Sequence, residues 1–422
     1  MPLRGLKRFL VGAPLPTAQS RHERLGKATA LAVFASDPLS SVAYATEEIL
    51  LVLTLAGSTA LSYSLPIGIA IAVLIAIVVS SYRQTIRAYP QGGGAYIVAR
   101  ENLGTVPALV AGAALLTDYV LTVSVSVAAG VAAVTSAFPA LFLYRVVLGV
   151  LAVAAIAVGN LRGVRESGKL FAAPTYLFVG SLLAMLVFGS AGAIFNFLPE
   201  APYEPHRPGL EGVGLFLLLR AFSSGCAALT GVEAVSNGVQ AFRPPEADNA
   251  RTVMTWLGVI AIVLFLGTTY LAYDFGLTPK ADETIVSQLA RRLFGTGVLY
   301  YEIQAVTMLI LLLAANTSYA DFPRLSSFMA RDRFMPRQFA SQGDRLVFSN
   351  GIVILTLLAM LLLVLFHGET HALIPLYAVG VFISFTLSQS GMVVHWLRMR
   401  EPGWRWRVWV ARTSSSPTCR IT

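Results

Sequence analysis

Apolar residues in this chain fall into long runs of the length that a bilayer sets. About 20 consecutive apolar residues cross the hydrocarbon core as a helix. Such runs lie near 28-54, 65-82, 105-138, 142-160, 170-190, 211-240, 253-273, 298-319, 347-366 and 372-397. The pattern predicts an all-α integral membrane protein with about ten transmembrane helices. Two runs are interrupted in mid-span: the first by Ala35-Ser36-Asp37-Pro38-Leu39-Ser40-Ser41, the sixth by small and polar residues from Phe222 to Gly231. A carboxylate near the bilayer centre costs roughly 2.5–3.5 kcal/mol on insertion scales, so Asp37 requires a compensating partner, a proton or a cation. Composition agrees: hydrophobic residues make up 56% of the 422, charged residues 13%, and mean hydropathy is +0.69, which excludes a soluble globular protein.

The net charge of +9 raises nucleic acid as a partner, but the distribution of charge argues against it. Basic residues gather in alternate connections, as the positive-inside rule requires. With the amino terminus in the cytoplasm, that side receives Arg4 to Lys27, Arg83, Arg87, Arg100, Arg162, Arg165, Lys169, Arg243, Arg251, Arg324 to Arg345, and Arg398 to Arg420. Of the 31 Lys and Arg, the exceptions are Arg145, Arg207, Lys280, Arg291 and Arg292 outside, and Arg220 within a span. The expectation is a multi-pass protein of the plasma membrane, with membrane lipid as its surroundings and no nucleic-acid partner. Cys226 and Cys419 give neither a disulfide framework nor metal spacing. Residues 1-27 form a basic segment without a signal-peptide core, 28-397 a transmembrane domain, and 398-422 a short tail, all read as facing or spanning the membrane accordingly.

The two interrupted runs lie five spans apart, the mark of an inverted repeat, with repeat one at about 28-190 and repeat two at about 211-397. Pro38 disfavours helical geometry at Asp37, and Gly225 and Gly231 weaken the sixth helix. Both segments are expected to unwind and expose carbonyls, which survives at that depth only around a polar cavity. The Gly-rich connection Tyr89-Pro90-Gln91-Gly92-Gly93-Gly94-Ala95-Tyr96 lacks the Lys and hydroxyl residue of a P-loop and reads as a flexible intracellular hinge.

Asp118, Thr122 and Ser126, at i, i+4 and i+8, stack three oxygens on one helical face among Val and Leu, so that stripe must face the bundle interior. Helix-to-helix hydrogen bonding is the plainer reading of either hydroxyl alone. Asp37 has an alternative as an N-cap. Tyr44 turns its oxygen either to a neighbouring helix or into the cavity, and Thr230 and Tyr377 are single polar groups whose periodicity decides nothing further. Glu233, just after the sixth break, is a candidate proton carrier, whereas Glu47 lies nearer the outer end and reads as solvated. His206, His367 and His371 fall in external connections. Asn316-Thr317-Ser318 reads first as a helix cap and second as a further cation site, and Asp321 to Arg345 as a solvated intracellular connection. No hydrolytic or Walker motif is present, so no enzyme is expected.

The segments Leu25-Gly26-Lys27, Ser36-Asp37-Pro38-Leu39-Ser40-Ser41-Val42-Ala43-Tyr44-Ala45-Thr46-Glu47-Glu48, the Tyr89 to Tyr96 loop and Gly163-Val164-Arg165-Glu166-Ser167-Gly168-Lys169 carry a resemblance. Over about residues 22 to 400 the chain resembles the amino acid-polyamine-organocation superfamily, and within it the KimA-type potassium importers of the KUP group. The resemblance implies a LeuT-like fold of two inverted five-helix repeats and potassium uptake coupled to protons, without a cofactor. It also implies a cation site of Asp37, Tyr44, Asp118, Thr122, Ser126, Thr230 and Tyr377, the last two resting mainly on similarity. Such importers have twelve spans and a cytosolic domain, so this chain reads as truncated, and a homodimer through the missing parts is left open. The chief rival is an organic-solute permease, which offers bare helix-end amides to a substrate carboxylate. Asp37 would repel that group at close range. A non-transporting or inactive membrane protein is the third reading.

Overall fold

A computed structural model describes residues 24-92, 94-162, 168-195, 209, 212-341, 348-401 and 403-419. Outside them lie most of the basic amino-terminal segment, Gly93, the 163-167 part of the family-like motif, His206, Arg207, Arg345 and Arg420. Among the described residues the protein is all-α. Its order is α1 (Lys27–Ser40), α2 (Val42–Leu53), α3 (Ser64–Ala88), α4 (Ala95–Asn102), α5 (Thr105–Ala137), α6 (Arg145–Leu161), α7 (Gly168–Phe195), α8 (Leu215–Gly225), α9 (Ala234–Asn237), α10 (Glu246–Asp274), α11 (Ile285–Phe294), α12 (Val298–Arg331), α13 (Ser349–Leu365), α14 (Thr370–Met399) and α15 (Trp404–Cys419). Among the described residues nine spans are long and apolar enough to cross a membrane, and α13, with 17 residues, is a shorter apolar helix.

The longest of these helices form the inner bundle. α5 packs against α12 and α14, and α10 against α3. Small residues permit the closest approaches, the usual means of helix association in lipid. A β-carbon at Gly258 would stand 2.8 Å from Val79 Cγ2. By contrast, the Pro139–Leu161 span has few buried residues, as a lipid-facing helix would.

The two interrupted spans differ from the expectation of equal unwinding. The sixth is truly open: α8 passes into a 3-10 turn (Cys226–Leu229), Thr230 is extended (φ −67°, ψ 149°), and Gly231 takes φ +76° before α9 begins. The first is not unwound at Asp37. α1 runs through Pro38 to Ser40, and the interruption is a single turn at Ser41. Serine hydroxyls explain the difference. Ser36 Oγ donates to the Val33 carbonyl (2.9 Å), Ser40 Oγ to Asp37 O (2.7 Å) and Ser41 Oγ to Pro38 O (2.7 Å), so carbonyls expected to be bare are engaged within the helix.

One further expectation is corrected. Asp321 is not in a solvated connection but in α12, which continues to Arg331. In the tail segment, α15 packs on α14 and α3, where Ala411 joins Trp396, Tyr89, Val98 and Met392 in a second apolar cluster. The Gly-rich loop lies on the end of α9: a β-carbon at Gly92 would stand 3.0 Å from Asn237 O and one at Gly94 3.2 Å from Asn237 Oδ1.

Candidate functional site

The opened sixth span meets the first span at Asp37. A β-carbon placed on Gly231 would stand 2.6 Å from Asp37 Cγ and 2.7 Å from Oδ2, so the carboxyl group fills the space that glycine leaves. Around this contact, residues from five elements converge. Tyr44 of α2 faces Thr230 and lies in electrostatic range of Asp37 and Asp118. Tyr377 of α14 faces Thr122 of α5 and lies in range of Asp37, Tyr44 and Asp118. Asp118 is in range of Glu233 and Asp37 in turn. The backbone of α14 presses on this point, since a β-carbon at Gly380 would be 3.8 Å from Asp118 Cα.

The structure thus brings together Asp37, Tyr44, Asp118, Thr122, Thr230, Tyr377 and Glu233. Ser126 is buried one turn further along α5, on the face that carries Asp118 and Thr122, without a described contact to the other members. Thr230 Oγ1 donates to the Ala227 carbonyl at 2.8 Å, leaving its oxygen lone pairs available.

Charge at this point is one-sided. Asp321 of α12, partly exposed, lies in electrostatic range of Asp37 and Glu233, which makes four carboxyl groups, with Arg324 at 3.7 Å from Asp321 as the described counter-ion. Asp118 Oδ1 and Glu233 Oε2 are buried without a hydrogen-bond partner in the protein. An unsatisfied buried polar atom costs about 1–3 kcal/mol, and more for charged groups. Such atoms persist where a ligand, proton or water completes them. Carboxylates crowded in low dielectric repel one another and anions alike, so the pocket suits a cation.

Above the pocket, a cavity of about 350 Å³ has Tyr44 and Thr307 in its wall and Lys280, Glu369 and His371 towards its mouth. Here the sequence reading missed a cluster. Glu47 is buried instead of solvated: its Oε2 accepts from the Ile285 amide at 3.2 Å, and its Oε1 lies 3.4 Å from His371 Nε2. His371 Nδ1 meets Glu48 Oε1 at 2.5 Å. His371 is the second residue of α14, not part of a loop, so one imidazole ties α14 to α2 while Glu47 also ties the start of α11. Asp321 was the other omission. Its one signal was spacing, four residues beyond Thr317 on a helix that the hydropathy window ended too early.

Below the pocket, Arg100 of α4 forms an ion pair with Asp332, which also accepts from Tyr96 Oη at 2.7 Å. Burial works against the charge of Asp332, but the Tyr96 and Arg100 hydrogen bonds and the Arg100 charge hold its carboxyl below the usual carboxylate range.

These features define a multi-pass membrane protein with a polar-lined helix break between a cavity and an ion-paired face. The amino acid permease family model matches residues 25–415, and the chain belongs to that family, within the amino acid-polyamine-organocation superfamily. It is 51% identical over 404 residues to the potassium transporter KimA of Bacillus subtilis (strain 168), covering 94% of this chain and 66% of that protein. It is 22% identical over 281 residues to the low-affinity putrescine importer PlaP of Escherichia coli (strain K12), covering 63% of this chain and 59% of that one. The chain therefore spans less than two thirds of the length of either relative. Among solved structures, a manganese transporter of Eremococcus coleocola aligns at a TM-score of 0.49 and 13% identity, over 97% of this chain and 88% of its own.

Proposed function

We propose that this protein is a secondary transporter that imports potassium across the plasma membrane by symport with protons, its amino terminus in the cytoplasm. The contact of the Asp37 carboxyl with the opened backbone at Gly231 carries the reading, because it sets a negative charge where the two interrupted spans meet. A potassium ion must shed water and be repaid by several oxygens, and hard monovalent cations take carboxylate, hydroxyl and carbonyl ligands. Asp37 and Asp118 supply charge, and Tyr44, Thr122, Ser126, Thr230 and Tyr377 supply neutral oxygens. Inward movement gains about 2.3 kcal/mol per charge for each 100 mV of membrane potential. Glu233, with its unpaired Oε2 near Asp118 and Asp37, is the proposed proton carrier. The name of the 51% identical relative supports the same cargo.

A second reading takes the cargo as an organic polycation, since the acidic pocket suits one and the weaker relative is named a putrescine importer. Rubidium and putrescine uptake by the reconstituted protein separate the two. Asp118→Ala should abolish rubidium uptake, and the potassium reading fails if that variant, folded, transports as the parent does or if putrescine alone is carried.

A further inference from the structure

Beneath the candidate pocket, α3 and α14 hold a polar track for which the cation site has no use. Tyr82 Oη, Ser384 Oγ, Ser388 Oγ and Gln389 Nε2 are each fully buried without a hydrogen-bond partner in the protein, as are Glu233 Oε2 and Asp118 Oδ1. Ser384 lies one turn before Ser388 on α14, on the same face. Tyr82 faces Ser388 and Gln389 and lies in range of Glu233 and Asp118. Its ring meets Phe385 edge-on at 5.6 Å, and Ser81 Oγ donates to Gln389 Oε1. Gln389 stands twelve residues beyond Tyr377 on α14, a drop of about 18 Å from the pocket. Tyr82 is six residues from the end of α3, which places the track between Glu233 and the arginine-rich face.

The chemistry of the atoms identifies their ligand. A bare cation needs acceptors, but the unpaired atom of Gln389 is a donor, and each hydroxyl both donates and accepts. Buried polar atoms that mix donors and acceptors are the usual partners of ordered water. We propose that Tyr82, Ser384, Ser388 and Gln389 form a hydrated relay, a site for water and its excess proton, that joins the Glu233 carboxyl to the inner side of the membrane. The inference rests on the reading of Glu233 as proton carrier. In the relay step, the O–H bond of the Glu233 carboxylic acid breaks and its proton passes to the first water. Tyr82 accepts a proton on its oxygen as it releases its own to the next water, and the excess proton leaves as hydronium. Glu233 remains as carboxylate. The charged groups facing it are Asp37 on α1, Asp118 on α5 and Asp321 on α12.

The test uses the whole chain in liposomes with a trapped pH dye and a rubidium gradient, beside rubidium binding in detergent. Tyr82→Phe, which removes one oxygen and keeps the packing against Phe385, should slow rubidium-dependent acidification by about tenfold or more while rubidium binding is retained. Ser388→Ala should act in the same direction, and serves alone if the first variant elutes as aggregate. Folded variants that acidify at the parental rate overturn the relay, as does a loss of rubidium binding equal to the loss of proton flux. Glu233→Gln separates the two levels. If it abolishes acidification while the relay variants do not, the relay alone is wrong, and if acidification persists in it, the reading of Glu233 falls first.

Discussion

Gly231→Ala is the most direct probe of the site, because the three atoms nearest to the added carbon all belong to Asp37. Two costs arise. The residue sits at φ +76°, and a left-handed backbone costs an L-residue roughly 1–2 kcal/mol, which should appear as lost stability. The new β-carbon would also stand 2.6, 2.7 and 2.9 Å from Asp37 Cγ, Oδ2 and Cβ. Carbon contacts settle near 3.5–4.0 Å, so the carboxyl group must retreat by about 1 Å. Interactions with a charged group are worth about 1.5–3 kcal/mol, so losing this ligand should weaken rubidium binding by roughly ten- to 150-fold. Competition binding in detergent gives the affinity, and a thermal-unfolding series gives the stability. Gly159→Ala is the control, since its β-carbon would meet nothing within 4 Å and helical Ala is favoured by about 0.5–1 kcal/mol. A Gly231→Ala protein that loses stability but binds rubidium as the parent does would refute Asp37 as a ligand.

Three other outcomes follow from contacts away from the pocket. His371→Ala leaves Glu47 and Glu48 without their imidazole partner, and because His371 is partly exposed the loss should be about 1–3 kcal/mol, recovered in part by adding Glu48→Gln; a thermal midpoint equal to the parent's would make the contact idle. Asp332 is depressed below the ordinary carboxylate value, so its contribution to stability is complete above a pH of about 4 and is lost as the pH falls through its lower folded value. Asp332→Asn should flatten the decline of thermal stability on acidification, and an unchanged profile would refute the tie to Arg100 and Tyr96. Trp396→Ala should cost about 3–5 kcal/mol by chemical denaturation, because its side chain joins α14 to α15; a cost under about 1 kcal/mol would mean that α15 is not seated there.

Much of the architecture is legible in the sequence, because bilayer thickness converts apolar run length directly into spans. The runs at 105-138 and 372-397 recur as α5 and α14 within a few residues. The break in the sixth span was also legible, since Gly231 adopts a positive φ that other residues resist. The first span misled. Pro38 predicted an unwound segment, but Ser36, Ser40 and Ser41 return their hydroxyls to the helix carbonyls, a competition between local hydrogen bonds that composition alone does not rank. Asp321 and Glu47 looked like surface carboxylates because a linear window sees flanking charge and not the helices folded over it.

By itself, then, the sequence determined which segments enter the membrane, which spans are interrupted and which helical face of α5 is polar, because each follows from local periodicity and the cost of burying polar groups. Only the tertiary structure decided that Asp37 rests on Gly231, that Asp321 comes within electrostatic range of Asp37 and Glu233, and that Glu47, Glu48 and His371 meet beside the cavity. Those pairs are separated by up to 323 positions in the chain, and their contacts are set by helix packing, which no single stretch of sequence encodes.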